Sequence, residues 1–208
     1  MKAWIYTGGE IFPDRITEHP KGDDLVIAAD AGLQNALALG VTPQLALGDF
    51  DSFDAASIPD TVRTLRVPAE KDFTDTQLAV EQALRLGADE IVIVGGLGGR
   101  TDHALSNLAI LEELDSLSVS AVILNGRDRV RFLKNGSTLV PRSHYRYLSL
   151  VAVDERLRGV SIEGCRYPLK NKTIDRKNQY AVSNEIIENC ALISIRKGGA
   201  YLIESADR

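Results

Sequence analysis

Two acidic clusters stand out in the first half of the chain, Gly48-Asp49-Phe50-Asp51-Ser52 and Glu70-Lys71-Asp72-Phe73-Thr74-Asp75-Thr76. Each follows a short apolar run, Leu45-Ala46-Leu47 or Leu65-Arg66-Val67, so each is expected in a loop at the carboxyl end of a strand. Carboxylates gathered along one sheet edge repel one another unless a cation sits among them. Mg²⁺ takes hard oxygen ligands of this kind, keeping waters and binding substrate phosphates. Asp and Ser also favour turns and helix starts, where they accept from backbone N–H groups. A single Asp-x-Asp reads as no more than that; two acidic loops in register point to a site.

The partner chemistry lies in the glycine-rich stretches. Gly95-Gly96-Leu97-Gly98-Gly99-Arg100-Thr101-Asp102-His103 leads into a helix marked by Leu105, Leu108, Ala109, Leu111 and Glu112. Four glycines, an arginine and a helix start make an anion cradle of backbone N–H groups and one guanidinium. The pattern is neither a Walker A motif nor a G-x-G-x-x-G fingerprint. His103, in a first helical turn, reads as structural in preference to a phosphate ligand. Thr7-Gly8-Gly9 reads equally as a plain turn or as a second close approach to an anion. Asp30, at a strand-to-helix junction, is either an N-cap worth about 1 kcal/mol or a wall of the crevice that holds Asp49 and Asp51.

The elements that must position these groups follow from periodicity. Ala3–Tyr6, Leu25–Ala28, Leu45–Leu47, Thr64–Val67, Ile91–Val94 and Val119–Leu124 read as strands. Leu33, Ala36 and Leu37 follow helical spacing up to Gly40. Thr74 and Gln77 form a capping box, which starts a helix near Asp75 with Ala79, Val80, Ala83 and Leu84 buried and Gly87 as its stop. Alternating strand and helix implies a doubly wound α/β unit with a mostly parallel sheet, whose ligand crevice lies beyond the carboxyl ends of the strands. Gly8, Gly9, Asp30, the acidic pairs and the Gly95–Asp102 loop all fall on that edge.

After Asn125–Arg127 the texture changes. Arg129–Leu133, Ser137–Val140, Tyr145–Val153, Val160–Glu163, Tyr180–Val182, Ala191–Arg196 and Ala200–Ile203 are short runs, many of them alternating. They read as an antiparallel sandwich or small barrel. The basic cluster Lys170–Lys177 reads as a solvated loop. Two domains are expected, 1–125 and 126–208.

Bulk properties narrow the classes. The 208 residues can bury a substantial core, and 44% hydrophobic with 25% charged residues is ordinary for a globular chain. A net charge of −5 argues against a nucleic-acid groove but not against phosphate bound through a metal. No apolar run approaches the roughly 20 residues of a membrane span. Met1–Tyr6 shows no secretory signal, so a cytoplasmic location is expected, with Cys165 and Cys190 as free thiols.

Ala-Asp-Ala-Gly at 29–32, Gly-Asp-Phe-Asp-Ser at 48–52, Lys-Asp-Phe-Thr-Asp at 71–75 and the 95–103 loop resemble the signature set of the thiamine pyrophosphokinase family. Gly164-Cys165-Arg166-Tyr167-Pro168-Leu169 and Val182-Ser183-Asn184-Glu185 are similar to its bacterial branch. The resemblance implies an α/β domain, a carboxyl-terminal β-sandwich, a homodimer with active sites between subunits, and the conversion of ATP and thiamine to thiamine diphosphate and AMP. It implies Mg²⁺ on Asp49, Asp51 and Asp75, with Asp72 close by and Asp30 in the same pocket. Arg100 and Asp102 match loop residues near nucleotide and thiamine, beside Gly96, Gly98, Gly99 and the variable position His103. Ser183 and Asn184 match the element that meets thiamine from the partner subunit. Eukaryotic members carry a late tryptophan; the one tryptophan here is Trp4, so what stacks on thiamine stays open. A pyrophosphokinase for another heterocyclic alcohol, such as a pterin, and a nucleotide- or thiamine-binding module without turnover are the alternatives.

Overall fold

The computed structural model describes residues 1–50, 58–67 and 72–207. The chain divides into two compact units, Met1–Gly126 and Arg127–Arg208.

The first unit is built on strands β1 (Lys2–Tyr6), β2 (Leu25–Ala29), β3 (Leu45–Gly48), β4 (Arg63–Arg66), β5 (Glu90–Val94) and β6 (Ser120–Leu124). They pair in parallel in the order β6-β5-β1-β2-β3-β4. The chain steps from β1 out to β4, then returns to lay β5 and β6 on the other side of β1. At that reversal the loops after β1 and β5 diverge, and a crevice opens at the carboxyl edge.

Burial on both faces explains the unbroken apolar runs. Ile91, Val92, Ile93 and Val94 are all fully buried, as expected where helices cover both sides of a parallel sheet. Trp4, Tyr6, Val26, Val92, Val94 and Val122 pack with Ala36 of helix α1 (Gly32–Ala38). Ile5, Ile27, Ile93 and Ile123 alternate with them and are equally buried, each contributing about 1.5–3 kcal/mol. Helix α2 (Asp75–Arg85) packs on β1, β2 and β3, and helix α3 (Thr101–Ser116) on β6.

The capping box forms as expected. Thr74 Oγ1 accepts from the Gln77 N–H at 3.2 Å, and Gln77 Oε1 accepts from the Thr74 N–H at 2.9 Å. Thr74→Ala is expected to cost about 1 kcal/mol and lower Tm by about 2–4 °C in a thermal melt; an unshifted melt refutes the cap's contribution.

One helix face differs from expectation, and the structure settles a second that the sequence left unassigned. Leu84 of α2 is half-buried rather than buried. In α3 the buried residues are Asn107, Ile110, Leu111 and Leu114, while Leu105 is 62% exposed. The helix is apolar on more than one side, so period alone did not choose the face.

The second unit is antiparallel: β7 (Asp128–Pro141), β8 (Tyr147–Ala152), β9 (Arg156–Glu163), β10 (Leu169–Asp175) and β11 (Cys190–Ser205). β11 pairs with β7 along one edge. Along its other edge it pairs with β9 through Leu192–Lys197 and with β8 through Ala200–Ser205; β10 adds to β9. The strands enclose a core that includes Val140, Leu150, Leu157, Val160, Ile193 and Leu202.

Asn135-Gly136 and Gly198-Gly199, which separate short apolar runs in the sequence, face each other inside two long strands. Gly136 pairs with Ile195 and Lys134 with Gly199, so Asn135 alone opposes Arg196, Lys197 and Gly198 in an enlarged bulge. Gly198 has φ +114 there, and its N–H donates to Asn135 Oδ1 at 2.8 Å. The Lys170–Lys177 cluster is also not a loop: most of it is β10, an exposed strand whose lysines face water while Ile174 enters the core. Tyr180–Val182 is not a strand; Ala181 only accepts from the Leu150 N–H. Cys165 and Cys190 are free thiols, and burial pushes Cys165 up to about 11. Among the described residues no helix is long and apolar enough to cross a membrane.

Candidate active site

A cleft of about 460 Å³ lies within the first unit at the carboxyl edge of its sheet. Its walls are Thr7, Gly8 and Gly9 after β1; Ala29, Asp30 and Ala31 after β2; Phe73, Thr74, Asp75 and Thr76 at the start of α2; and Gly95, Gly96, Gly98, Gly99, Arg100, His103 and Asn107 between β5 and α3.

The two glycine loops touch backbone to backbone. A Cβ on Gly9 would stand 1.9 Å from the Gly95 carbonyl oxygen, and one on Gly95, at φ +82, would stand 2.9 Å from the Thr7 carbonyl oxygen. Only hydrogens fit between them. Two asparagines fix these loops from behind. Asn35 Nδ2 donates to the carbonyls of Thr7 (2.6 Å) and Gly9 (2.8 Å), and buried Asn107 Nδ2 donates to the carbonyl of Gly96 (2.9 Å). The Thr7 and Gly95 N–H groups donate to the Val94 and Leu124 carbonyls, so the donors for an anion are to be sought among the N–H groups of Gly8, Gly9, Gly96, Gly98 and Gly99. No local sequence signal marks Asn35 or Asn107, because their partners lie 28, 26 and 11 residues away.

Asp30 is not the cap of α1. Ala31 holds that position with no side-chain bond, while Asp30 adopts φ +47 and its N–H donates to the Leu47 carbonyl at 2.7 Å. Asp30 lines the cleft. A Cβ on Gly48 would come within 3.1 Å of Asp30 Cα, so the ends of β2 and β3 sit side by side and Asp49 follows directly. Asp75 lies in the first turn of α2, where the helix dipole favours a negative side chain.

Arg100 is held by Asp102 through two hydrogen bonds, Nε–Oδ1 at 3.2 Å and Nη2–Oδ2 at 2.7 Å. The guanidinium, with a further bond from the His103 N–H, holds the Asp102 carboxyl down at about 2. Both side chains are exposed, and the pair is held together by these two bonds.

Of the residues singled out by sequence, Gly8, Gly9, Asp30, Asp75, Gly96, Gly98, Gly99, Arg100 and His103 meet in the cleft. Among the described residues Asp49, Asp72 and Asp102 do not line it, and Asp51 lies outside the described residues. Among the described residues no three His, Cys, Asp or Glu side chains converge as metal ligands. Ser183 and Asn184 belong to the second unit. Ser183 is exposed at φ +56, its N–H donating to Ser149 Oγ. The Asn184 carboxamide is buried and engaged: Oδ1 accepts from the N–H groups of Tyr167 (2.9 Å) and Glu185 (3.0 Å), and Nδ2 donates to the Tyr167 carbonyl (2.8 Å).

Residues 17–123 match the family model for the "Thiamin pyrophosphokinase, catalytic domain", and residues 137–199 match that for the "Thiamin pyrophosphokinase, vitamin B1 binding domain". The thiamine pyrophosphokinase of Bacillus subtilis is 31% identical over 210 residues, covering 98% of each chain. The crystal structure of a Bacillus subtilis thiamine pyrophosphokinase superposes with a TM-score of 0.90 at 27% identity, covering all of both chains. That from Geobacillus thermodenitrificans gives 0.86 at 29%, covering 100% of this chain and 98% of the other.

Proposed function

Because the chain belongs to the thiamine pyrophosphokinase family, and so transfers pyrophosphate from ATP to thiamine, we propose that the cleft of the first unit is where ATP and its metal ion are held. The observation that carries this is the meeting, in one cleft, of two carboxylates, Asp30 and Asp75, with two glycine loops and the Arg100 guanidinium.

Mg²⁺ typically binds through one or two carboxylates together with substrate phosphates, and this donor set fits it: hard oxygens beside a backbone too close for any Cβ. Asp75 and Asp30 would hold the ion from the wall of the cleft, and Asp49, which follows β3, and Asp51 are the further carboxylates that the resemblance implies for it. When bound, the ion neutralises charge on the phosphates. The N–H groups of the loops at Gly8, Gly9, Gly96, Gly98 and Gly99 grip phosphate oxygens, with Arg100, paired with Asp102, and His103 at the rim. The hydroxyethyl oxygen of thiamine bonds to the β-phosphorus as the bond to the α-phosphate oxygen breaks and AMP leaves. Such a transfer depends mainly on alignment and charge neutralisation. One of Asp72, Asp75 and Asp102 takes the hydroxyl proton, and of the three Asp75 is the residue that lines the cleft.

The first unit carries the nucleotide chemistry and the second meets thiamine. Asn184 acts there by ordering the Tyr167 segment, and Ser183 offers the exposed hydroxyl. Small recesses between Tyr167, Tyr180 and Val182 offer an aromatic surface. The chain works as a cytoplasmic homodimer with its active sites between subunits.

Following AMP and thiamine diphosphate together tests the cleft. Chelation by EDTA is expected to stop both products and added Mg²⁺ to restore them. Asp30→Asn is expected to slow both on the order of 10²-fold. Turnover unchanged by Asp30→Asn places the phosphates elsewhere.

A further inference from the structure

We propose that the second unit carries a separate anion site, built at the bulge of β11, for a small molecule bearing a diphosphate or triphosphate group. A pocket of about 530 Å³ opens there, lined by Asn135, Arg158, Arg196 and Lys197. That volume is of the size that holds a small ligand.

Arg196 and Lys197 are consecutive, and in a regular strand they would point to opposite faces. The bulge, with Asn135 alone opposing Arg196, Lys197 and Gly198, turns both onto the same pocket. From β9, Arg158 pairs in register with Lys197, and like charges directly opposite one another destabilise a sheet. Gly159 at φ +68 makes room for this crowding: a Cβ there would fall 2.7 Å from Arg196 Cβ and 2.8 Å from Arg196 Nε. Arg196 is thus laid across a glycine backbone and held by packing.

Each of the four lining side chains carries donors at its end, above a wall formed largely by aliphatic stems. Asn135 Oδ1 is occupied by the Gly198 N–H, which leaves its amide N–H groups facing out. The side chains of Arg158, Arg196 and Lys197 form no ion pair or hydrogen bond with any described residue, whereas other arginines of the same unit are matched: Arg131 with Glu204, Arg146 with Asp207, Arg156 with Asp175 and Arg166 with Glu185. Three uncompensated cations in a protein of net charge −5 mark a local site rather than a basic face for nucleic acid. Two guanidinium forks and an ammonium suit the several oxygens and multiple negative charge of linked phosphates.

Calorimetric titration of the full chain with sodium pyrophosphate, without added metal, tests the site. The wild-type isotherm is expected to contain a component that Arg158→Gln/Arg196→Gln lacks. Each single substitution is expected to weaken that component about tenfold, and so should Lys197→Gln. Competition by ATP, inorganic triphosphate or thiamine diphosphate supports the site and shows which compound carries the group in. An isotherm unchanged by the double substitution overturns the proposal. So does a component displaced equally by sulfate at matched ionic strength, which shows an adventitious ion only. Turnover of ATP and thiamine by the double variant is expected to match wild type at saturating substrates. Loss of the component with turnover intact separates this site from the catalytic cleft, and the two readings fail independently.

Discussion

Asp75→Asn is expected to lower thiamine diphosphate formation on the order of 10³-fold at saturating Mg²⁺, with the fold retained. The substitution keeps the shape of the side chain and removes one negative charge. Where a metal ion offsets developing phosphate charge, losing a ligand costs several kcal/mol in the transition state, and each 1.36 kcal/mol is a factor of ten. The structural cost is much smaller. Thr74 and Gln77 still close the capping box, and the lost helix-dipole interaction contributes about 0.3–1 kcal/mol. Circular dichroism and a thermal melt should therefore be near wild type while product formation collapses. A variant retaining more than a tenth of wild-type turnover refutes Asp75 as a metal ligand.

Gly9→Ala tests the cradle in a different way, through shape. The new Cβ would stand 1.9 Å from the Gly95 carbonyl oxygen, and both neighbours are backbone, so no side chain can swing aside. One loop must move. The Thr7 and Gly9 carbonyls are tied to Asn35, and the Thr7 N–H donates to the Val94 carbonyl at 2.9 Å, so the displacement strains the junction of β1 and β5. The expected stability loss is about 1–3 kcal/mol, in the range of overpacking. A shift near 1 Å at the phosphate-binding backbone is expected to reduce kcat by on the order of 10²-fold. Gly22→Ala is the control: nothing lies within 4 Å of a Cβ there. A fully active Gly9→Ala enzyme rules out close backbone approach as the basis of the site.

Local rules were legible in the residue order. The unbroken Ile91–Val94 run, the Thr74–Gln77 box and the break in texture near Asn125–Arg127 all depend on neighbours a few positions away. The same rules misread Lys170–Lys177, because lysine-rich stretches resemble loops; pairing to β9 holds most of that segment as a strand. They split β11 into two runs at Gly198-Gly199, because a glycine pair does not reveal that Asn135-Gly136, far away in sequence, sits opposite.

The candidate site divides the same way. That carboxylates, glycines and Arg100 would gather on one edge follows from strand–helix alternation, since parallel strands all end on the same side. Whether Asp30 capped a helix or faced the cleft needed the left-handed backbone at that residue and its bond to the end of β3. Asn35, Asn107 and the two-sided grip of Asn184 on Tyr167 arise between segments brought together only by folding. Spacing along a chain encodes the chemistry of short-range partners, whereas a hydrogen bond across a sheet or behind a loop depends on register, and register is settled by the packing of the whole unit.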